Sequence, residues 1–203
     1  MKKKLLLILI VIILAVSNIL VGCGQKPKDP NGVTDFLKDM DSYSTEFEMQ
    51  IKNEKQTVTY TGKQFYKNGK GYRLNLGDDR VFTYKEDKIY VNDVKNGLKY
   101  TTDKDFDFLY RLSFIEEYIG LLLTNEEIKY TFKTVDKIEY LLIESIIPGG
   151  SKDIRRAVLY VERKSCKPTE LIIYGDDGKE NIKVIYKNFE PFAELDDNLF
   201  KIN

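Results

Sequence analysis

The side chains in this sequence that could do chemistry are two thiols, Cys23 and Cys166, and three small groups of charge. The groups are Asp103, Asp105 and Asp107; the adjacent Glu116 and Glu117; and Lys67, Lys70 and Arg73. Histidine is absent altogether. Its absence excludes Ser-His-Asp and Cys-His nucleophile activation, histidine-based zinc hydrolysis and the commonest general base near neutral pH. Carboxylate, Ser-Lys or tyrosine chemistry would need a constellation of its own, and no group supplies one. The aspartates at alternate positions open like a calcium loop, but Phe108 stands where that loop needs glycine and Phe114 where it needs a bidentate glutamate. They read instead as acids collected at the positive end of a helix. Neighbouring residues do not face each other on a helix, so Glu116 and Glu117 read as part of a solvated helix face rather than an acid/base pair. Lys67 and Lys70 flank an Asn68-Gly69 turn, and with Arg73 they read as solvated turn charge. The expectation is a protein with no catalytic residue, no metal site and no cofactor, and not an enzyme.

Cys23 differs, because its surroundings specify a modification. Lys2, Lys3 and Lys4 precede an unbroken apolar run from Leu5 to Val16; Ser17 and Asn18 interrupt it, and Leu20-Val21-Gly22 leads into Cys23. The run is short for a membrane span and fits a cleaved export signal, with an uncleaved helical anchor as the alternative. The order of charge, apolar run, small residues and cysteine resembles the bacterial lipoprotein recognition sequence. In that sequence the thiol receives a diacylglyceryl group and cleavage makes the cysteine the new N-terminus. Two acyl chains suffice for lasting attachment where one does not. The expected site is therefore lipidation at Cys23, with Leu20, Val21 and Gly22 as lipobox, on the extracytoplasmic face of the cell membrane. Cys166 then has no partner for an internal disulfide, and in the turn-like Lys164-Ser165-Cys166-Lys167-Pro168 it reads as a bystander thiol.

The signal holds three of the 32 basic residues and none of the 32 acidic ones, so the mature body is mildly acidic. Such a body attracts neither nucleic acid nor an anionic lipid surface over its whole face. Three regions follow: a signal over 1–22, a lipidated cysteine and flexible tether over 23–32 containing Pro27 and Pro30, and one domain over 33–203.

Positioning elements come from periodicity. Thr34 caps a short helix with Phe36, Leu37 and Met40 inward. Tyr43, Thr45, Phe47, Met49 and Ile51 then alternate with polar residues, as in a half-buried strand. Further strands are expected at 57–66, 71–76, 80–85, 88–93 and 98–102, with close spacing that favours antiparallel meanders. A long helix over about 105–124 carries Phe108, Leu109, Leu112, Ile115, Ile119, Leu122 and Leu123 at helical spacing. A second meander follows over 127–135, 138–147, 155–163, 169–175 and 180–189. The fold class is α+β: an incomplete antiparallel β-barrel of about 9–11 strands, with a short N-terminal helix and a longer helix covering the concave face.

Landmarks in the C-terminal half carry a resemblance. Leu159 to Glu162, Lys167-Pro168-Thr169-Glu170-Leu171, Tyr174-Gly175-Asp176-Asp177-Gly178-Lys179, Ile182 to Phe189 and Asp197-Asn198-Leu199-Phe200-Lys201-Ile202 resemble the end of lipoprotein-carrier-like domains of the LolA, LolB and RseB types. That superfamily implies an incomplete barrel under helices, with some members carrying acylated lipoproteins and others binding proteins. Within it, the lysine-, tyrosine- and isoleucine-rich chain is similar to the clostridial spore germination lipoproteins, the GerS type and its relatives. This closer resemblance implies expression in sporulation, a forespore or spore membrane, and support of a cortex-modifying N-acetylmuramoyl-L-alanine amidase. A homodimer formed by edge-strand pairing or exchange fits an open sheet. The alternative from another class is a carrier or sensor that binds acyl chains or lipoproteins in the half-barrel cavity.

Overall fold

The computed structural model describes residues 29–107, 109–124 and 127–202. Phe108, the signal, the lipobox with Cys23 and the stretch through Lys28 lie outside these residues. No helix among the described residues is long and apolar enough to cross a membrane.

Helix α1 (Pro30–Lys38) begins inside the stretch read as tether. Proline at the first helical position costs no hydrogen bond there, and the Asp29 side chain accepts from the Gly32 N–H at 2.7 Å. Asp29 is thus the cap. Thr34 lies within the helix, its hydroxyl turned back on the carbonyls of Pro30 and Asn31. Val33, Leu37 and the following Met40 are buried, whereas Phe36 is half-buried against Phe192 with ring centroids 5.4 Å apart.

Eleven strands form one antiparallel sheet: β1 (Ser42–Lys52), β2 (Thr57–Lys67), β3 (Gly71–Leu76), β4 (Arg80–Lys85), β5 (Lys88–Asp93), β6 (Leu98–Asp103), β7 (Lys129–Val135), β8 (Ile138–Ile146), β9 (Arg156–Glu162), β10 (Pro168–Tyr174) and β11 (Glu180–Pro191). Their spatial order is β6-β5-β4-β3-β2-β1-β11-β10-β9-β8-β7. The chain is therefore two meanders sewn along a central seam, β1 against β11, with Phe47 opposite Tyr186 and Met49 opposite Val184. A closed barrel would require β6 to pair with β7. Each instead pairs only with its hairpin partner, so the barrel is incomplete and the fold is α+β as expected.

Alternation along the strands builds the core. Tyr43, Thr45, Phe47 and Met49 of β1 are buried, as are Leu141 and Ile143 of β8, Leu159 and Val161 of β9, Leu171 and Ile173 of β10, and Ile182, Val184 and Tyr186 of β11. All but Thr45 join Val33 and Leu37 in one apolar cluster on the inner face. Gly62 of β2 permits a close approach there: a Cβ at this position would lie 2.1 Å from the Asn75 carbonyl oxygen and 2.9 Å from the Phe47 ring.

The connection from β6 to β7 departs from the single helix expected over 105–124. Two short 3-10 turns, Lys104–Phe106 and Arg111–Ser113, precede α2 (Ile115–Thr124). Local side chains compete with the helix. The Asp107 carboxylate accepts from the Tyr110 N–H at 2.9 Å, and the Ser113 hydroxyl donates to the Tyr110 carbonyl at 2.6 Å. Phe114 is extended, with ψ 131°, which drives its ring into the core and restarts the chain as α2.

Candidate functional site

The inner face is filled by this connection. Leu112, Phe114, Ile115, Tyr118, Ile119 and Leu122 are buried against the sheet. The Phe114 ring stands 4.9 Å from that of Tyr72 and 5.4 Å from that of Tyr84. Polar atoms fix its depth: the Tyr43 hydroxyl accepts from the Ile115 N–H at 3.1 Å, the Tyr186 hydroxyl donates to the Ser113 carbonyl at 2.7 Å, and the Tyr118 hydroxyl donates to the Ile143 carbonyl. Burial pushes the Tyr43, Tyr118 and Tyr186 phenols well above their ordinary range, so they remain neutral donors and acceptors. Two surface grooves, about 210 and 440 Å³, are lined without any residue of α2.

Glu116 and Glu117 are not a solvated face, because α2 turns them toward the sheet. Glu117 receives an ion pair from Lys104 and another from the Arg111 Nε at 3.4 Å, and the Lys104 ammonium stands 4.9 Å above the Tyr72 ring. Burial raises the Glu116 carboxyl above its usual range, opposed by a hydrogen bond from Tyr66. Its Oε2 is buried with no hydrogen-bond partner among the described residues. Burial, with Glu116 nearby, pushes the Tyr66 phenol up to about 12. Nothing in the local sequence signals this network, because its partners come from β2, β3 and the 3-10 turns.

The three aspartates disperse. Asp103 pairs with Lys88, Asp105 is exposed near Arg111 at 3.5 Å, and Asp107 takes the Tyr84 hydroxyl and the Tyr110 N–H. They do not stand at the positive end of α2, which begins only at Ile115 and has Glu116 and Glu117 in its first turn. Among the described residues, no group of three or more cysteine, aspartate or glutamate side chains converges on a point that could hold a metal ion.

Lys67, Lys70 and Arg73 are more than turn charge. Both lysines reach Asp197 at 2.7 Å, and Arg73 donates to the Leu199 carbonyl at 2.8 Å, so the cluster clasps the C-terminal segment to the sheet. The two lysines hold the Asp197 carboxyl down to about 2. Cys166 is 1% exposed, at φ 57°, with its thiol 3.9 Å from the Arg163 carbonyl. A thiol so enclosed is out of reach of solvent. Cys23, Leu20, Val21 and Gly22 lie outside the described residues.

What the structure leaves open is the pair of sheet edges. Every residue of β7 is exposed, and Tyr130 and Phe132 turn toward the inner face 42% and 52% exposed. Leu98 and Tyr100 of β6 are also exposed on that side of their strand, as are Phe106 beyond its end and Leu123 on α2. Unpaired strand edges are templates for a further strand. The first meander's bare edge follows from its hairpins. The second edge is carried by the alternation Tyr130, Phe132 against Lys129, Thr131, Lys133, visible in the sequence once β7 is placed outermost.

A family model described as sporulation protein YdcC-like matches residues 2–200. No curated protein matches the sequence. Among solved structures, an uncharacterised conserved protein of Thermus thermophilus is similar with a TM-score of 0.56 and 6% identity, over 86% of this chain and 94% of that one. A chain of the Pseudomonas aeruginosa MucA/MucB complex gives 0.50 and 9%, over 85% and 61%. A chain of the complex between the CwlD amidase and the GerS lipoprotein of Clostridioides difficile gives 0.49 and 26%, over 81% and 97%. The first two likenesses are of fold.

Proposed function

Because the chain belongs to the sporulation protein YdcC-like family, we propose that it is a non-catalytic protein-binding module, anchored to a membrane by lipid on Cys23 and acting in sporulation. The observation that carries this reading is the contrast between a filled inner face and two bare edges. Tyr118, Phe114, Ile115 and Ile119 occupy the space a carrier would keep for an acyl chain, whereas β6 and β7 present unpaired backbone beside exposed apolar side chains. Membership in a sporulation family and the lipobox support a forespore or spore membrane, extracytoplasmic face. Cleavage after Gly22 would leave only a few residues between the lipid and α1, keeping the domain close to the bilayer surface.

The partner we propose is a cortex-modifying N-acetylmuramoyl-L-alanine amidase, on the strength of the sequence resemblance to germination lipoproteins. A homodimer through β6 is part of the same reading. Antiparallel pairing of Leu98–Asp103 with its own copy about Thr101 sets Lys99 against Asp103 twice, and opposite charges across strands are stabilising. Lipid-free protein mixed with the sporulation amidase should form a complex that survives gel filtration at micromolar concentration, and native mass spectrometry should find the domain empty of lipid. Absence of any complex, together with retained acyl chains, would establish a carrier instead.

A further inference from the structure

We propose that β7 is the docking edge for an extended segment of another protein whose residues alternate between apolar and acidic. This inference rests on reading the protein as a binding module and names the surface and the chemistry of what it binds.

The two faces of β7 differ. Its inner side carries Tyr130 and Phe132, and the Arg163 guanidinium stacks on Phe132 at 4.2 Å, leaving the ring half open. Its outer side carries Lys129, Thr131, Lys133 and Val135. Among the described residues Lys133 has no carboxylate partner, and Lys129 has only a long, shared one. Glu144, opposite Lys129, is already held by Arg156 at 2.8 Å and stands 3.7 Å from Lys129. Lys133 meets the Tyr160 ring at 5.6 Å rather than a carboxylate. The seven residues of β7 contain no acid. A strand added here must place alternate side chains on the two faces, so apolar residues meet Tyr130 and Phe132 while the intervening acids meet Lys129 and Lys133.

The same charges argue against a second copy. Antiparallel pairing of β7 with itself centred on Thr131 opposes Lys129 with Lys133, and pairing centred on Lys133 opposes that lysine with its own copy; the full-overlap register centred on Phe132 sets the lysines against Val135 and Thr131 but gathers four lysines and no acid on one face, with Lys133 diagonal to its own copy. Like charges directly across a ladder are destabilising. The β6 edge, with Lys99 and Asp103, lacks this one-signed character.

The test uses the full lipidated chain in nanodiscs and two fluorescent nine-residue peptides, one alternating valine with glutamate, the other valine with lysine. Fluorescence anisotropy should show the acidic peptide binding at least tenfold more tightly, with affinity falling as salt rises. The double variant Lys129→Glu, Lys133→Glu, on exposed positions, should reverse the preference while its thermal melt stays with wild type. Phe132→Ser should weaken both peptides. Equal binding of the two peptides, binding of neither, or a wild-type dimer dispersed by the charge reversal would each overturn the proposal. Amidase binding unaffected by the charge reversal would overturn the β7 assignment yet leave the binding-module reading standing, whereas loss of all amidase binding in wild type would count against that reading itself.

Discussion

Replacing Phe114 by alanine tests whether the inner face is a packed core or a pocket in waiting. The ring is fully buried, with Tyr72 at 4.9 Å and Tyr84 at 5.4 Å. Truncating a buried phenylalanine to alanine costs about 3–5 kcal/mol, and each aromatic pairing is worth about 0.5–1.5 kcal/mol beyond the area it buries. Two such neighbours place Phe114→Ala toward the upper end, about 4–5 kcal/mol. For a domain of this size about 2–4 °C is lost per kcal/mol, so the melting temperature should fall by roughly 8–20 °C. The chain has no tryptophan, so urea and thermal unfolding are best followed by far-ultraviolet circular dichroism and tyrosine fluorescence. Phe114→Leu should recover more than half of the loss, because it refills most of the space. A cost below about 1 kcal/mol would refute the reasoning, since it would mean that the ring lines a space already open or filled by a ligand.

Three further outcomes follow from the same geometry. Gly62→Ala forces a Cβ to within 2.1 Å of the Asn75 carbonyl and should cost about 2–3 kcal/mol in urea denaturation, against a slight gain if the strands had room. Burial raises the Glu116 carboxyl above its ordinary 4.5, so its protonated form is favoured in the fold; that contribution is complete below pH 4.5 and is lost as pH rises through the raised value. Glu116→Gln should therefore be more stable than wild type at pH 7, with the difference vanishing below pH 4.5, as pH-dependent melts would record. Asp197 is shifted the other way, to about 2, so its tie to Lys67 and Lys70 holds above its ordinary 3.8 and is released only as pH falls through about 2. Asp197→Asn should speed amide exchange at Leu199 and Lys201 at neutral pH while leaving the core melt nearly unchanged.

Most of the architecture is legible along the sequence, because strands announce themselves by a period of two. Tyr43, Thr45, Phe47 and Met49 are inward as their alternation requires, and the turns at Asn68-Gly69 and Asp177-Gly178 fall between strands. The long helix is the main departure. Apolar residues recur at helical spacing from Leu109 to Leu123, but Asp107 and Ser113 offer the backbone competing hydrogen bonds and Phe114 gains more by entering the core than by continuing a helix. Thr34 has the look of a cap because it precedes the apolar residues; Asp29, one residue before a proline, has the better geometry. Charged residues are the least legible of all. Glu116, Lys67, Lys70 and Arg73 owe their roles to partners far along the chain, and Glu117 to Lys104 and Arg111 across a break between helical segments, where no helical spacing announces the pair.

The central seam has a consequence for how the molecule comes into being. Its two middle strands are the first and the last to be made, and the ladder between them runs from Tyr43 opposite Pro191 to Ile51 opposite Ile182. As the chain is synthesised, each meander can form from local hairpins, but the first has no lasting neighbour for β1 until β11 has followed. Closing so long a loop is slow, and its entropy must be spent before the contacts reward it. A growing chain would thus show an unmatched β1 to its surroundings until its last strand is made. Early termination anywhere before Glu180 would leave that exposure permanent.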